Sequence, residues 1–224
     1  MVDLARRLVA ESLGTCLLVT TVVGSGIMAD RLTGDEALAL LANTVATGAM
    51  LVVLITLFAP LSGAHFNPAV SLVFAARREL TPTDCLLYIL VQITGAVAGA
   101  FLAHAMFALP LIDFSQKIRT GHSQWLAEAV ATFGLVAIIL GGSRTERSPV
   151  AWLVGLYIAA AYWFTASTSF ANPAVTIGRA FTNTFSGIRP ADVPSFVAAQ
   201  LAGAFVALIL AGWLWSKNRR PEIH

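Results

Sequence analysis

Ser62-Gly63-Ala64-His65-Phe66-Asn67-Pro68-Ala69-Val70 decides how this chain is read, because its closing half returns later as Asn172-Pro173-Ala174-Val175. Asn is among the best N-cap residues, and Pro is favoured at the first helical position, where its missing N–H would have had no partner. Each Asn-Pro therefore starts a helix. Both helices are short: Asn67 runs to Ala76 before the pair Arg77-Arg78, and Asn172 runs to about Phe181. About ten residues at 1.5 Å each give about 15 Å, half of a hydrocarbon core of about 30 Å. The preceding segments, 60–66 and 166–171, are rich in small and polar residues and lack helical patterning. Non-helical backbone at membrane depth is tolerated only where protein buries it or water lines it.

The rest of the chain supplies the membrane context. It has 224 residues, 57% of them hydrophobic and only 12% charged. Soluble domains carry about 25% charged residues, so this chain lacks the charge to cover a water-facing surface. Its net charge of +2 is spread along the sequence, with no basic stripe for nucleic acid and no composition of disorder. Charge-free stretches run from Ala37 to Ala76, Cys85 to Ile112, Ala129 to Ser143, Ser148 to Gly178 and Val193 to Ser216. Arg6 and Arg7 precede an apolar run that continues to Ala29, too long for a leader's apolar core, so it reads as a first crossing. The predicted full helices lie near 7–29, 37–59, 83–107, 124–142, 149–166 and 191–216.

Six crossings put both termini on one side. Arg6, Arg7, Arg77, Arg78, Arg144, Arg147, Lys217, Arg219 and Arg220 fall on that side, and Arg31, Lys117, Arg119, Arg179 and Arg189 fall opposite. The positive-inside rule makes the terminal side cytoplasmic, in a multi-pass protein of the cell's inner (plasma) membrane. The sequence also repeats itself. Glu11, Asn67-Pro68-Ala69 and Gln92-x-x-Gly95 recur in the same order as Glu128, Asn172-Pro173-Ala174 and Gln200-x-x-Gly203. Three crossings per half is an odd number, so the halves, about 1–107 and 120–216, must insert in opposite directions. The expected fold is a single all-α membrane domain over 1–224, with six transmembrane helices plus two half-helices in an inverted repeat.

Two half-helices entering from opposite faces meet at mid-bilayer, each presenting about half a positive charge at its N-terminus. With the side chains of Asn67 and Asn172 between them, such a site favours neutral hydroxylated solutes, repels cations and orients single-file water. Glu11 and Glu128 open apolar helices, where an unpaired charge is costly. Their symmetry suggests that each accepts N–H bonds from its own half's pore loop, with Gln92 and Gln200 in support. Cys16 and Cys85 read as buried small hydrophobes, and no metal-ligand spacing or cofactor motif is present.

At these residues the chain resembles the aquaporin and aquaglyceroporin family over nearly its whole length, through Glu11-Ser-Leu-Gly14-Thr15, the Ser62–Val70 motif, Gln92-x-x-Gly95, Glu128, Asn172-Pro173-Ala174 and Gln200-x-x-Gly203. The resemblance implies a homotetramer in the lipid bilayer, one pore per subunit, and passive flow of water and small neutral solutes. The family usually places Arg after the second Asn-Pro-Ala, at the narrow outer filter; here that residue is Val175. Counting from the motif, the other filter positions fall at Thr47, Ala160 (or its neighbour Ala159) and Ser169. All are small, which implies a wide, uncharged filter that passes glycerol, urea or metalloid hydroxides such as arsenite, as in arsenic-resistance-associated members lacking the Arg. Arg179, one turn beyond Val175 on the same helix face, is a candidate substitute charge or vestibule residue. His65 is expected to line the cytoplasmic half of the pore, where the family carries a His. The alternatives are a channel mainly for water, or an ion-coupled secondary transporter, which would need an ionisable residue in the transport path. A membrane enzyme lacks any nucleophile–base or nucleotide signature.

Overall fold

The computed structural model describes residues 2–143 and 150–215. Arg144, Arg147, Lys217, Arg219 and Arg220, used above to orient the chain, lie outside the described residues. Eight α-helices run in order: α1 (Leu4–Leu32), α2 (Glu36–Ser62), α3 (Pro68–Ala76), α4 (Pro82–Met106), α5 (His122–Gly142), α6 (Val150–Phe164), α7 (Pro173–Gly178) and α8 (Val193–Leu214). Short 3₁₀ turns occupy Arg179–Phe181 and Pro190–Asp192.

Side-chain chemistry at the ends sets these boundaries. Asp35 accepts the Ala37 and Leu38 N–H groups at 2.8 and 3.1 Å to start α2, and Thr81 accepts the Asp84 N–H ahead of Pro82 to start α4. At the far end of α2, Gly63 takes φ +91°, the left-handed cap that glycine supplies cheaply. The helix passes through Pro60 and ends only at Ser62, so the non-helical pore segment is shorter than the predicted 60–66. The second half-helix is also shorter than predicted: α7 closes at Gly178 and the 3₁₀ turn carries the chain to Phe181.

α1, α2, α4, α5 and the last helix are long and apolar enough to cross a membrane, and α6 adds a shorter apolar helix of 15 residues. Their outward faces carry large apolar side chains such as Val45, Leu57, Phe205, Ile209 and Trp213, whereas Glu11, Gln92, Glu128 and Gln200 are fully buried. Polar groups inside and apolar groups outside is the arrangement lipid selects. The two halves pack alike: α1 lies on α4, and α5 lies on α8. Gly95 of α4 sits against the Ser12 carbonyl and Gly203 of α8 against the Ala129 carbonyl, the residues that follow Glu11 and Glu128. The small residues thus let each Glu-bearing helix approach its Gln-bearing partner closely enough for the two side chains to bond.

Candidate functional site: a paired-helix pore

The N-termini of α3 and α7 meet through their capping side chains. Asn67 Oδ1 accepts the Ala69 N–H at 2.9 Å, and Asn172 Oδ1 accepts those of Ala174 and Val175 at 3.0 and 3.2 Å. Each amide nitrogen then reaches across: Asn67 Nδ2 donates to the Ala171 carbonyl and Asn172 Nδ2 to the Phe66 carbonyl, both at 2.8 Å. Pro68 and Pro173 follow directly at the first helical positions, and Ala69 and Ala174 are buried behind them. An amide carries two N–H donors. One from each Asn ties the halves together, and the second remains for a passing oxygen, since both side chains line the central cavity. The carbonyls of Phe66 and Ala171 each spend one lone pair on this exchange.

The loops feeding these caps are strained and held. Ala64, Phe66, Thr168, Ser169 and Ala171 all have φ between +48° and +60°, a region that costs a non-glycine residue of order 1–3 kcal/mol and persists only when its surroundings impose it. The two glutamates impose it. Glu11 accepts from Ser62 Oγ (2.6 Å), His65 N (2.9 Å), Phe66 N (2.7 Å) and Gln92 Nε2 (2.9 Å). Glu128 accepts from Phe170 N (2.8 Å), Ala171 N (2.9 Å) and Gln200 Nε2 (2.6 Å). Gln92 and Gln200 also donate to Ser71 and Thr176 on the half-helices, at 3.0 and 2.8 Å. Both carboxylates are spent on backbone and side-chain donors, and neither lines the cavity.

A cavity of about 240 Å³ passes the Asn pair. Its walls are rows at four-residue spacing: Thr47, Leu51, Ile55 and Ala59 from α2, and Val150, Val154, Ile158 and Tyr162 from α6. Twelve helical steps, from Thr47 to Ala59, correspond to a run of about 18 Å. His65 lies on the wall near Phe74, its Nδ1 3.1 Å from Ser71 Oγ and its ring stacked on Phe74 at 4.6 Å, so it is both packed and exposed to the lumen.

At the other end stand Thr47, Ser169, Val175 and Arg179. Ala160 does not belong there. It is exposed on the far face of α6, because the cavity-facing row passes through Ile158 and Tyr162, half a turn away. Tyr162 takes the place instead, its phenol 3.4 Å from Thr47 Oγ1. Counting from the second Asn-Pro-Ala missed it; the four-residue row beginning at Val150 carries the signal that finds it. This end of the cavity is therefore aromatic on one side and hydroxyl-lined, with Ser169 Oγ buried and lacking a hydrogen-bond partner.

Arg179 is 2% exposed, donates from Nε to the Ser186 carbonyl, and holds its guanidinium carbon 3.3 Å from the Phe170 ring centroid. A second buried arginine, unmarked by any sequence pattern, faces the same ring: Arg119, at 5.0 Å, donates to the Gly187 and Ser167 carbonyls at 2.9 and 3.1 Å. Burial pushes its guanidinium down to about 10, with Glu128 and Tyr162 opposing, so it stays charged at neutral pH. Burial, followed by the charges of Arg119 and Arg179, also lowers the Lys117 ammonium, against Glu36 and Asp30.

Comparison with known proteins agrees with this architecture. The family model "Major intrinsic protein" matches residues 1–149 and 127–223. The chain is 68% identical over 217 residues to aquaglyceroporin AqpS of Rhizobium meliloti (strain 1021), covering 97% of this chain and 93% of that protein. It is 30% identical over 214 residues to aquaporin NIP6-1 of Arabidopsis thaliana, covering 92% of this chain and 67% of that one. The X-ray structure of the aquaglyceroporin from Plasmodium falciparum shares the fold at a TM-score of 0.67 and 19% identity, over 93% of this chain and 95% of that one. With its tip-to-tip half-helices and a cavity lined by both capping asparagines, the chain belongs to the major intrinsic protein family and is a multi-pass membrane channel, not an enzyme, for small solutes and water.

Proposed function

We propose that this channel passes neutral solutes larger than water, with glycerol, urea and uncharged metalloid hydroxides such as arsenous acid as the solute class. The observation that carries the reading is Val175, an aliphatic side chain on the cavity wall where the family's filter arginine would stand. An apolar residue there removes a donor and leaves room beside the hydroxyls of Thr47, Tyr162 and Ser169, which exchange hydrogen bonds with a polyol or hydroxide as it sheds water. In support, the relative at 68% identity is named an aquaglyceroporin. The channel works as a homotetramer in the inner (plasma) membrane with cytoplasmic termini, its halves 1–107 and 120–216 acting as inverted repeats. The mirrored Glu11–Gln92 and Glu128–Gln200 bonds support the repeat, and Arg6, Arg7, Arg77 and Arg78 on the terminal side support the orientation.

The test is a permeability panel of water, glycerol, urea and arsenite on purified protein in vesicles, followed by light scattering for the first three and by trapped arsenic for the last. Solute entry above protein-free vesicles is expected. Val175→Arg should suppress the larger solutes more than water; equal or greater solute flux in that variant would overturn the filter assignment.

A further inference from the structure

Three successive carbonyls at the outer mouth are each taken by a different cation. Lys117 Nζ donates to the Phe185 carbonyl at 3.0 Å, Arg179 Nε to that of Ser186, and Arg119 Nε to that of Gly187 at 2.9 Å. The three come from two places, Lys117 and Arg119 from the segment between α4 and α5 and Arg179 from the turn after α7. Among the described residues the ion pairs are Arg7–Asp84, Arg77–Glu79 and Arg189–Asp192, so none of the three cations is neutralised by a directly bonded carboxylate. Neutral carbonyls and the Phe170 ring orient these charges; Asp192 Oδ2 accepts the Arg119 backbone N–H at 2.8 Å, and Glu128, Glu36 and Asp30 offset the cluster in part without a direct bond to a charged head group. Arg179 is the member on the cavity wall, and its Nε alone is occupied by the Ser186 carbonyl. We infer that this carbonyl-held trio, with Arg179 facing the lumen, is a cation barrier at the mouth in place of a charge at position 175, in series with the half-helix ends at the centre.

The inference rests on the proposed passage of neutral solutes, and the physical reason is local. A positive cluster in a narrow, low-dielectric mouth lowers the concentration of cations there and leaves neutral molecules unaffected, by factors of about 10–1,000 for charged clefts in general. Arg119 and Lys117 are positioning and field residues. They brace the 185–187 carbonyls from outside while adding to the potential.

Urea and guanidinium are planar, of similar size, and differ by one charge. Vesicles holding the wild-type channel are expected to admit urea at least about tenfold faster than guanidinium. Arg179→Gln should narrow that gap several-fold while water flux shows an assembled pore, and Arg179→Lys should keep it. Lys117→Gln alters an exposed side chain and keeps a donor for the Phe185 carbonyl, and should narrow the gap measurably at low ionic strength and less at high, as screening requires. A wild-type channel that passes guanidinium as fast as urea overturns the inference, as does a water-conducting Arg179→Gln or a low-salt Lys117→Gln with an unchanged gap. Absence of urea flux in the wild type is a different outcome and overturns the solute reading instead.

Discussion

The phenol of Tyr162 on α6 meets the Thr47 hydroxyl on α2 at 3.4 Å, joining two helices across one end of the cavity, at the proposed filter. Thr47 is 3% exposed and Tyr162 4%, so the pair is held by packing as much as by this long bond. Removing only the hydroxyl tests the bond, and removing the ring tests the width. Tyr162→Phe is expected to change glycerol entry about threefold or less, the weak end of a neutral hydrogen bond, about 0.5 kcal/mol, as its length implies. Tyr162→Ala should admit a longer polyol such as erythritol while water flux stays close to wild type. Erythritol exclusion unchanged in Tyr162→Ala, measured by vesicle swelling, would remove Tyr162 from the constriction.

The two glutamates predict an asymmetry. Glu11 fills four acceptor positions and Glu128 three, although their places in the two halves correspond. Replacing either by Gln turns an acceptor into a donor that faces backbone N–H groups, and each donor left buried without a partner costs about 1–3 kcal/mol. Both variants should lower thermal stability in detergent, Glu11→Gln more than Glu128→Gln, followed by tryptophan fluorescence. Equal melting of the two variants and the parent would show that the loops hold their strained conformation without the carboxylates.

What the sequence made legible was whatever local chemistry encodes. Asn-Pro announces a capped helix start within two residues, and Glu11, Gln92, Glu128 and Gln200 stand out because charge and amide are rare in apolar helices. Those residues proved to be bonded partners. Position 160 failed for a geometric reason: a count back from Asn172 crosses the non-helical segment after Phe164, where residue number does not fix helical phase. Only the row of α6 itself fixes that phase, and it selects Tyr162. Arg119 was invisible for another reason, since its partners Ser167 and Gly187 lie 48 and 68 residues away on other loops. Pro60 misled in the opposite direction, because α2 absorbs it and stops at Gly63.

A charge placed between the half-helix tips tests the central site. Asn67 and Asn172 each spend one acceptor on their own helix and one donor on the opposite loop. Asp at either position keeps the cap but loses the donor, and leaves a carboxylate beside the opposite carbonyl. Asn172→Asp should therefore assemble less stably by about 0.5–2 kcal/mol, the scale of losing a cap-strength bond. The carboxylate also offsets the two helix N-termini, so vesicles carrying the variant should become permeable to sodium or protons, read with a trapped fluorescent indicator. An ion-tight Asn172→Asp that still conducts water would show that the helix ends contribute little to exclusion.

Two glycines in α8 should respond oppositely to the same substitution. A methyl group at Gly203 would press on the Ala129 backbone, which cannot swing aside as a side chain can, whereas at Gly212 it would meet nothing within 4 Å. Overpacking of this kind costs about 1–3 kcal/mol. An added methyl in an open helical position instead gains about 0.5–1 kcal/mol by restricting the unfolded chain. Gly203→Ala should lower the melting temperature in detergent and, by pushing α8 from α5, lengthen the Gln200–Glu128 bond that holds the second pore loop. Solute flux should fall with it. Gly212→Ala should leave flux unchanged and raise the melting temperature slightly. If Gly203→Ala melts and conducts like the parent, the close approach of the two helices is not what seats Glu128, and the paired Gln-x-x-Gly motifs need another explanation.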